Sequence, residues 1–180
     1  MLCLAIAVSG WPPAIRSALA EKLPPTVAAV IDYQRILREA AAARSIREQI
    51  EAQRKAYQEE ISAEEKRLYE VEKEVSRQRS LLTPEAFAEK RREFEAEVAK
   101  VQRLVQERRR ELDRMSAAAL DEVKKALIEV VTGIAEERGF NLVLPSSEVL
   151  FFSRQIDLTE EVLAKLDEAL PEVKVPEAAE

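Results

Sequence analysis

Apolar residues in this chain follow two different rhythms. Val27-Ala28-Ala29-Val30-Ile31 is an unbroken apolar block, and Phe140-Asn141-Leu142-Val143-Leu144 is nearly one. Short runs of this kind read as strands. Between them apolar residues recur in steps of three and four, the period of a helix face. In the first half the stripe runs Ala43, Ile46, Ile50, Tyr57, Ile61, Leu68, Val71, Val75 and Leu82, with polar entries at Gln53, Glu64 and Gln78. Two successive steps of four, from Gln53 to Tyr57 to Ile61, predict a stutter that locally unwinds a supercoil. The second half runs Phe87, Arg91, Phe94, Val98, Val101, Val105, Arg108, Leu112, Met115 and Ala119. Its steps alternate four and three throughout, as in a coiled-coil seam, with Arg91 and Arg108 as flaws.

The punctuation fits two long helices. Residues 35–138 contain no glycine before Gly133 and one proline, Pro84, at the midpoint. Thr83 is a good N-cap, Pro84 suits the first helical position, and Glu85 suits the positive helix end. Asp32 can cap the first helix and Gly139 can close the second. The pattern therefore predicts a mainly α protein with a small β body. An antiparallel helical-hairpin arm spans residues 35–138, with its tip near 80–86. Helices of about 45 to 55 residues give a reach of roughly 70 Å. A two-helix arm buries only a narrow stripe, and the polar entries make it modestly stable.

The base is assigned to residues 26–34 and 139–170. Within it, Phe140–Leu144 and Glu148–Ser153 read as two strands around the turn Pro145-Ser146-Ser147. Asp157-Leu158-Thr159-Glu160 starts a last helix carrying Val162, Leu163, Leu166 and Leu170, with Asp157 or Thr159 as its cap. Residues 171–180 are expected to form a loose tail. Three short strands and one helix cannot bury enough surface alone, and open strand edges need partners. Several copies closing a barrel-like body would meet both needs; the argument does not fix their number. The residues assigned to that oligomerisation body are Val27, Val30, Ile31, Leu142, Val143, Leu144, Val149, Leu150 and Phe151.

Residues 1–20 have a signal-peptide pattern: an apolar start, then Ala18-Leu19-Ala20 before Glu21. Cleavage after Ala20 would leave no Cys, Trp or His. Composition narrows the chemistry further. The chain has no His, one Cys (Cys3) and three Gly. No histidine base, thiolate metal site or glycine-rich phosphate loop is available, so no cofactor and no enzyme activity are expected.

The net charge of -6 hides a separation. Residues 35–138 balance 23 Lys+Arg against 23 Asp+Glu, while residues 140–180 carry 3 against 9. Within residues 77–92, Arg77, Arg79, Lys90, Arg91 and Arg92 face only Glu85 and Glu89, which makes the arm tip a basic patch. Such separation can steer charged partners.

The ordered set of Val27–Leu37, a long charged hairpin, Gly139–Leu144 and Ile156–Leu163 resembles the OmpH/Skp family of periplasmic chaperones, over about residues 26–170. The resemblance implies a homotrimer with a small β-barrel body from which three arms extend. It implies an ATP-independent holdase that binds unfolded outer-membrane proteins in the periplasm and prevents their aggregation. It also matches the family's basic arm tips to Arg77, Arg79, Lys90, Arg91 and Arg92, and raises peripheral contact with anionic membrane or lipopolysaccharide. A structural coiled-coil spacer of the cell envelope is the alternative. It would need one regular seam and no strands at both ends. Nucleic-acid binding would need a basic face with stacking aromatics, which a neutral arm does not offer.

Overall fold

The computed structural model describes residues 23–176. The predicted signal segment lies outside them. Strand β1 (Ala28–Ile31) is followed by helices α1 (Tyr33–Glu39), α2 (Ala41–Gln78) and α3 (Pro84–Arg138), then β2 (Leu142–Pro145) and α4 (Thr159–Ala169). Short 3-10 turns lie at Ser146–Glu148 and Arg154–Ile156.

The hairpin forms as its caps require. Asp32 accepts from the Arg35 amide at 2.8 Å, and Thr83 accepts from the Ala86 amide at 3.3 Å. Gly139 closes α3 at φ 76, the left-handed conformation that glycine adopts without a Cβ penalty. The first helix is split, against expectation. Ala40 takes ψ 140, so α1 turns into the body and α2 leaves for the arm. Ala40 to Ala43 are strong helix formers, and nothing in their propensity signals a break; packing overrides it. Ala40 is fully buried at the bend. The new N-terminus of α2 lacks a cap of its own. Asp167 on α4 supplies one, accepting from the Ala41 amide at 2.7 Å.

β1 and β2 pair in parallel, Ala28 opposite Leu142 and Ile31 opposite Pro145. The whole arm is the crossover that parallel pairing demands. Among the described residues the far edge of β1 meets Asp157 through a single bridge at Val30, where Leu158 donates to the Val30 carbonyl at 2.9 Å. Thr159 ties this corner together. Its hydroxyl accepts from the Asp32 amide at 2.8 Å and donates to Asp157 at 2.6 Å. Thr159 thus opens α4, with Asp157 hydrogen-bonding back onto it rather than serving as a regular cap.

The core sits where the arm joins the body. Ile36, Ala42, Ala43 and Ile46 meet Ala119, Val123, Leu127 and Ile134 of α3, with Val162 and Leu166 of α4. α3 outruns α2 by 17 residues, and α4 packs on that C-terminal part. The paired part of the arm is therefore set by the 38 residues of α2, about 57 Å, shorter than the sequence suggested.

Two expectations about the base need correction. Val149, Leu150 and Phe151 form no strand, contrary to their apolar pattern; residues 149–153 are irregular. The segment has the composition of a strand but pairs with no strand among the described residues. Nor is the tail wholly loose. Val173 is buried among the core residues and Val175 packs against them.

Candidate functional site

Among the described residues no group of His, Cys, Asp or Glu could hold a metal, and no helix is long and apolar enough to cross a membrane. What the chain does offer is surface, of two kinds.

The first kind lies along the arm. Beyond Ile50 few side chains are well covered; Tyr57, Val101 and Met115 are the buried ones. Elsewhere the seam opens into grooves. Near the tip a groove of about 590 Å³ exposes Val71, Val75 and Phe94 between Lys90, Glu93 and Glu97. At mid-arm one of about 410 Å³ is lined by Tyr57, Ile61, Val105 and Leu112. At the root one of about 580 Å³ is lined by Leu37, Ile46, Ile50 and Leu120. All are open furrows with apolar floors and charged rims.

The tip residues Arg77, Arg79, Lys90, Arg91 and Arg92 are all exposed. Most of them are matched by carboxylates one turn away. Arg77 meets Glu74 at 3.6 Å, Lys90 meets Glu93 at 2.7 Å, Arg91 meets Glu95 at 3.0 Å, and Arg92 meets Glu89. The bond to Glu93 holds the Lys90 ammonium above its ordinary pKa. Arg79 has no ion-pair partner among the described residues. Widened to residues 74–95, the tip carries five cations and five carboxylates. The basic patch is therefore a local excess, largely neutralised by its own helices. Exposed pairs of this spacing are screened by salt and contribute little stability.

The seam flaw at Arg108 has a structural role. Its guanidinium makes two bonds of 2.9 Å to Glu60 on α2 and one of 3.0 Å to Glu111. It also lies 4.6 Å over the Tyr57 ring. The bidentate pair to Glu60 holds the guanidinium well above its ordinary pKa. The Tyr57 hydroxyl is buried with no well-aligned partner among the described residues. Burial, then the neighbouring Glu111 carboxylate, push that phenol up. Glu111 is held low by the Tyr57 hydroxyl and by Arg108. A second interhelical pair, Arg67 to Glu97 at 2.8 Å, lies nearer the tip. Lys100 and then Arg67 hold the Glu97 carboxyl low. The node falls where the sequence predicts the stutter, so polar contacts fix the helices where apolar ones thin out. Arg91, the other flaw, pairs on its own helix and stays exposed.

The second kind of surface is the body. Val30 and Ile31 are buried inside the chain. Val27 and Leu142 are exposed, while Val143, Leu144 and Val149 are half-buried. Leu150 is 104% exposed and Phe151 86%. The outer edge of β2 pairs with no other strand among the described residues. Asn141 steadies this corner, accepting from the Val27 amide and donating to the Pro25 carbonyl, both at 2.9 Å. Asn141, Gln49 and Asp167 have structural roles that periodicity could not reveal, because each acts through backbone groups far away in sequence.

A long two-helix limb with open grooves, set on a two-stranded body, defines an elongated protein whose candidate site is open surface. The sequence model of the family described as "Outer membrane protein (OmpH-like)" matches residues 27–166, and the chain belongs to that family. Among solved structures it is similar to a candidate outer membrane chaperone (OmpH-like) from Caulobacter crescentus, with a TM-score of 0.78. The two are 15% identical over 88% of this chain and 94% of that one, a likeness that speaks to fold. No curated protein matches the chain.

Proposed function

We propose that the protein is an ATP-independent holdase that keeps unfolded outer-membrane β-barrel proteins from aggregating in the periplasm. The observation that carries this reading is the set of open apolar furrows along a charged arm. An unfolded barrel strand presents apolar side chains at every second residue. Each furrow can take a few of them in a weak contact, while the charged rims keep the arm soluble. Several arms around one client multiply such contacts by effective concentration, without an energy source. The client leaves when folding into a bilayer buries more of its surface.

Assembly supplies the several arms. Leu150 and Phe151 lie in water in one chain, and the outer edge of β2 has no partner strand among the described residues. In the assembly we propose, three copies close a barrel-like body around these groups, and Val149–Phe151 finds its strand partner in a neighbour. Export through cleavage after Ala20 places the protein with its clients. Contact with anionic membrane or lipopolysaccharide has weaker support, since the tip cations are mostly paired on their own helices. A spacer role is disfavoured by the furrows, which a purely structural coiled coil would close.

The test is light scattering of a urea-unfolded β-barrel membrane protein diluted into buffer. Equimolar assembly is expected to suppress the scattering for as long as the mixture is followed. Scattering unchanged at that ratio contradicts the reading.

A further inference from the structure

After α4 the chain does not trail into solvent. It crosses to α2 and meets Gln49. The Gln49 side-chain amide donates to the Val173 carbonyl at 2.7 Å and accepts from the Val175 amide at 3.0 Å. Those two groups lie two residues apart, on one edge of an extended segment. A single carboxamide thus does what the neighbouring strand of a sheet would do. Ser45 holds that carboxamide in place, its hydroxyl accepting from Gln49 at 2.9 Å. Val173, whose carbonyl takes the first bond, puts its side chain into the core and is 2% exposed. Glu172-Val173-Lys174-Val175 alternates charged and apolar residues, the pattern of a barrel strand. The segment lies beyond the residues shared with the family, 27–166.

We propose that Gln49 and the Val173 socket form a binding seat for an extended, alternating polypeptide, filled in cis by the chain's own C-terminal segment. The proposed occupant in trans is a strand-like segment of the unfolded client, so the inference rests on the chaperone reading. Two properties support exchange. The polar contacts read main-chain groups, so they accept many sequences. Two hydrogen bonds, the buried Val173 and the partly buried Val175 are set against the entropy of ordering about five residues, opposing contributions of similar size. A client segment reaching the seat can then displace the tail.

The probe is a synthetic peptide copying residues 170–176, titrated against the full-length chain while NMR follows the backbone amides of residues 45–50. In the Val173→Asp variant, whose own segment no longer fits, the peptide is expected to shift these amides saturably. In the unaltered chain the same shift should need at least tenfold more peptide. Val173→Ala, a milder change, should fall between the two. In the double variant Val173→Asp with Gln49→Ala the saturable shift should vanish. No shift in either Val173 variant overturns the seat, and so does an equal shift in all four chains.

A second arm of the experiment decides the occupant. An unfolded β-barrel membrane protein should be held by the Val173→Asp variant at roughly threefold lower concentration than by the unaltered chain. Equal concentrations overturn the client as occupant. A client held by neither chain defeats the chaperone reading, and the peptide titration still decides the seat by itself.

Discussion

The root of the arm and its distal half use the same two helices and hold together differently. At the root, α1 and α4 pack beside α2 and α3, and Ile36, Ile46, Val123, Ile134 and Leu166 are at most 2% exposed. In the distal half, among the described residues, α2 and α3 pack on each other alone. There Val71, Val75, Phe94 and Val98 remain half-exposed although they sit on the seam. Two helices can cover one stripe but cannot surround it, and water reaches the stripe from both sides. The distal helices therefore depend on interhelical ion pairs, Arg108 with Glu60 and Arg67 with Glu97, where the root depends on apolar burial. What weakens the arm as a fold is what leaves its apolar positions available to a partner.

This contrast can be broken by matched truncations. Leu166→Ala removes a fully buried side chain at the root and should cost about 2–5 kcal/mol. Val75→Ala, near the tip, should cost less than about 1 kcal/mol, because the site is already half-open. Urea unfolding of both variants measures the ratio; equal costs would erase the distinction.

A smaller effect is expected at mid-arm. Arg108→Ala leaves Glu60 and Glu111 without their shared cation and should cost about 1–2 kcal/mol. Hydrogen exchange should show the loss as faster exchange in the distal arm, with the root unchanged. Arg108→Lys should rescue it only in part, because an ammonium cannot make the bidentate bond.

Acidification sharpens the same contrast. Glu111 and Glu97 both have carboxyls held below the ordinary value of 4.5 in the folded arm. A depressed folded pKa contributes stability that is complete above the unfolded value and lost as pH falls through the folded one. Distal-arm amides should therefore lose protection below about pH 4.5, before the root does. Glu111→Gln should flatten part of that dependence.

The smallest effect belongs to the tip. Reversing Arg77 and Arg79 to Glu should change stability by no more than about 0.5 kcal/mol. It should slow client capture, more at low salt than at high salt. Equal slowing at both would count against steering.

The sequence carried the contrast only in part. The hairpin, its turn at Thr83-Pro84 and its caps at Asp32 and Gly139 were legible, because each rests on local residue chemistry. The seam was legible too, including Arg108 as an irregularity. Its partner Glu60 was not, since stripe counting on one helix says nothing about the charge facing it. The bend at Ala40 was hidden in a helix-favouring alanine run and is imposed by α4. The strand expected at Val149–Phe151 had the right composition, yet residues 149–153 are irregular, because composition does not supply a strand to pair with. The Gln49 seat gave no signal, because a glutamine in a charged helix looks like solvent-facing surface.

The account stands on the body being completed by other copies, which brings several sparse arms around one client. Native mass of the purified full-length protein tests this most directly. Three copies are predicted, falling to one when Leu150 and Phe151 are both changed to Asp. A stable single copy of the unaltered chain, at concentrations where it protects a client, would contradict the account.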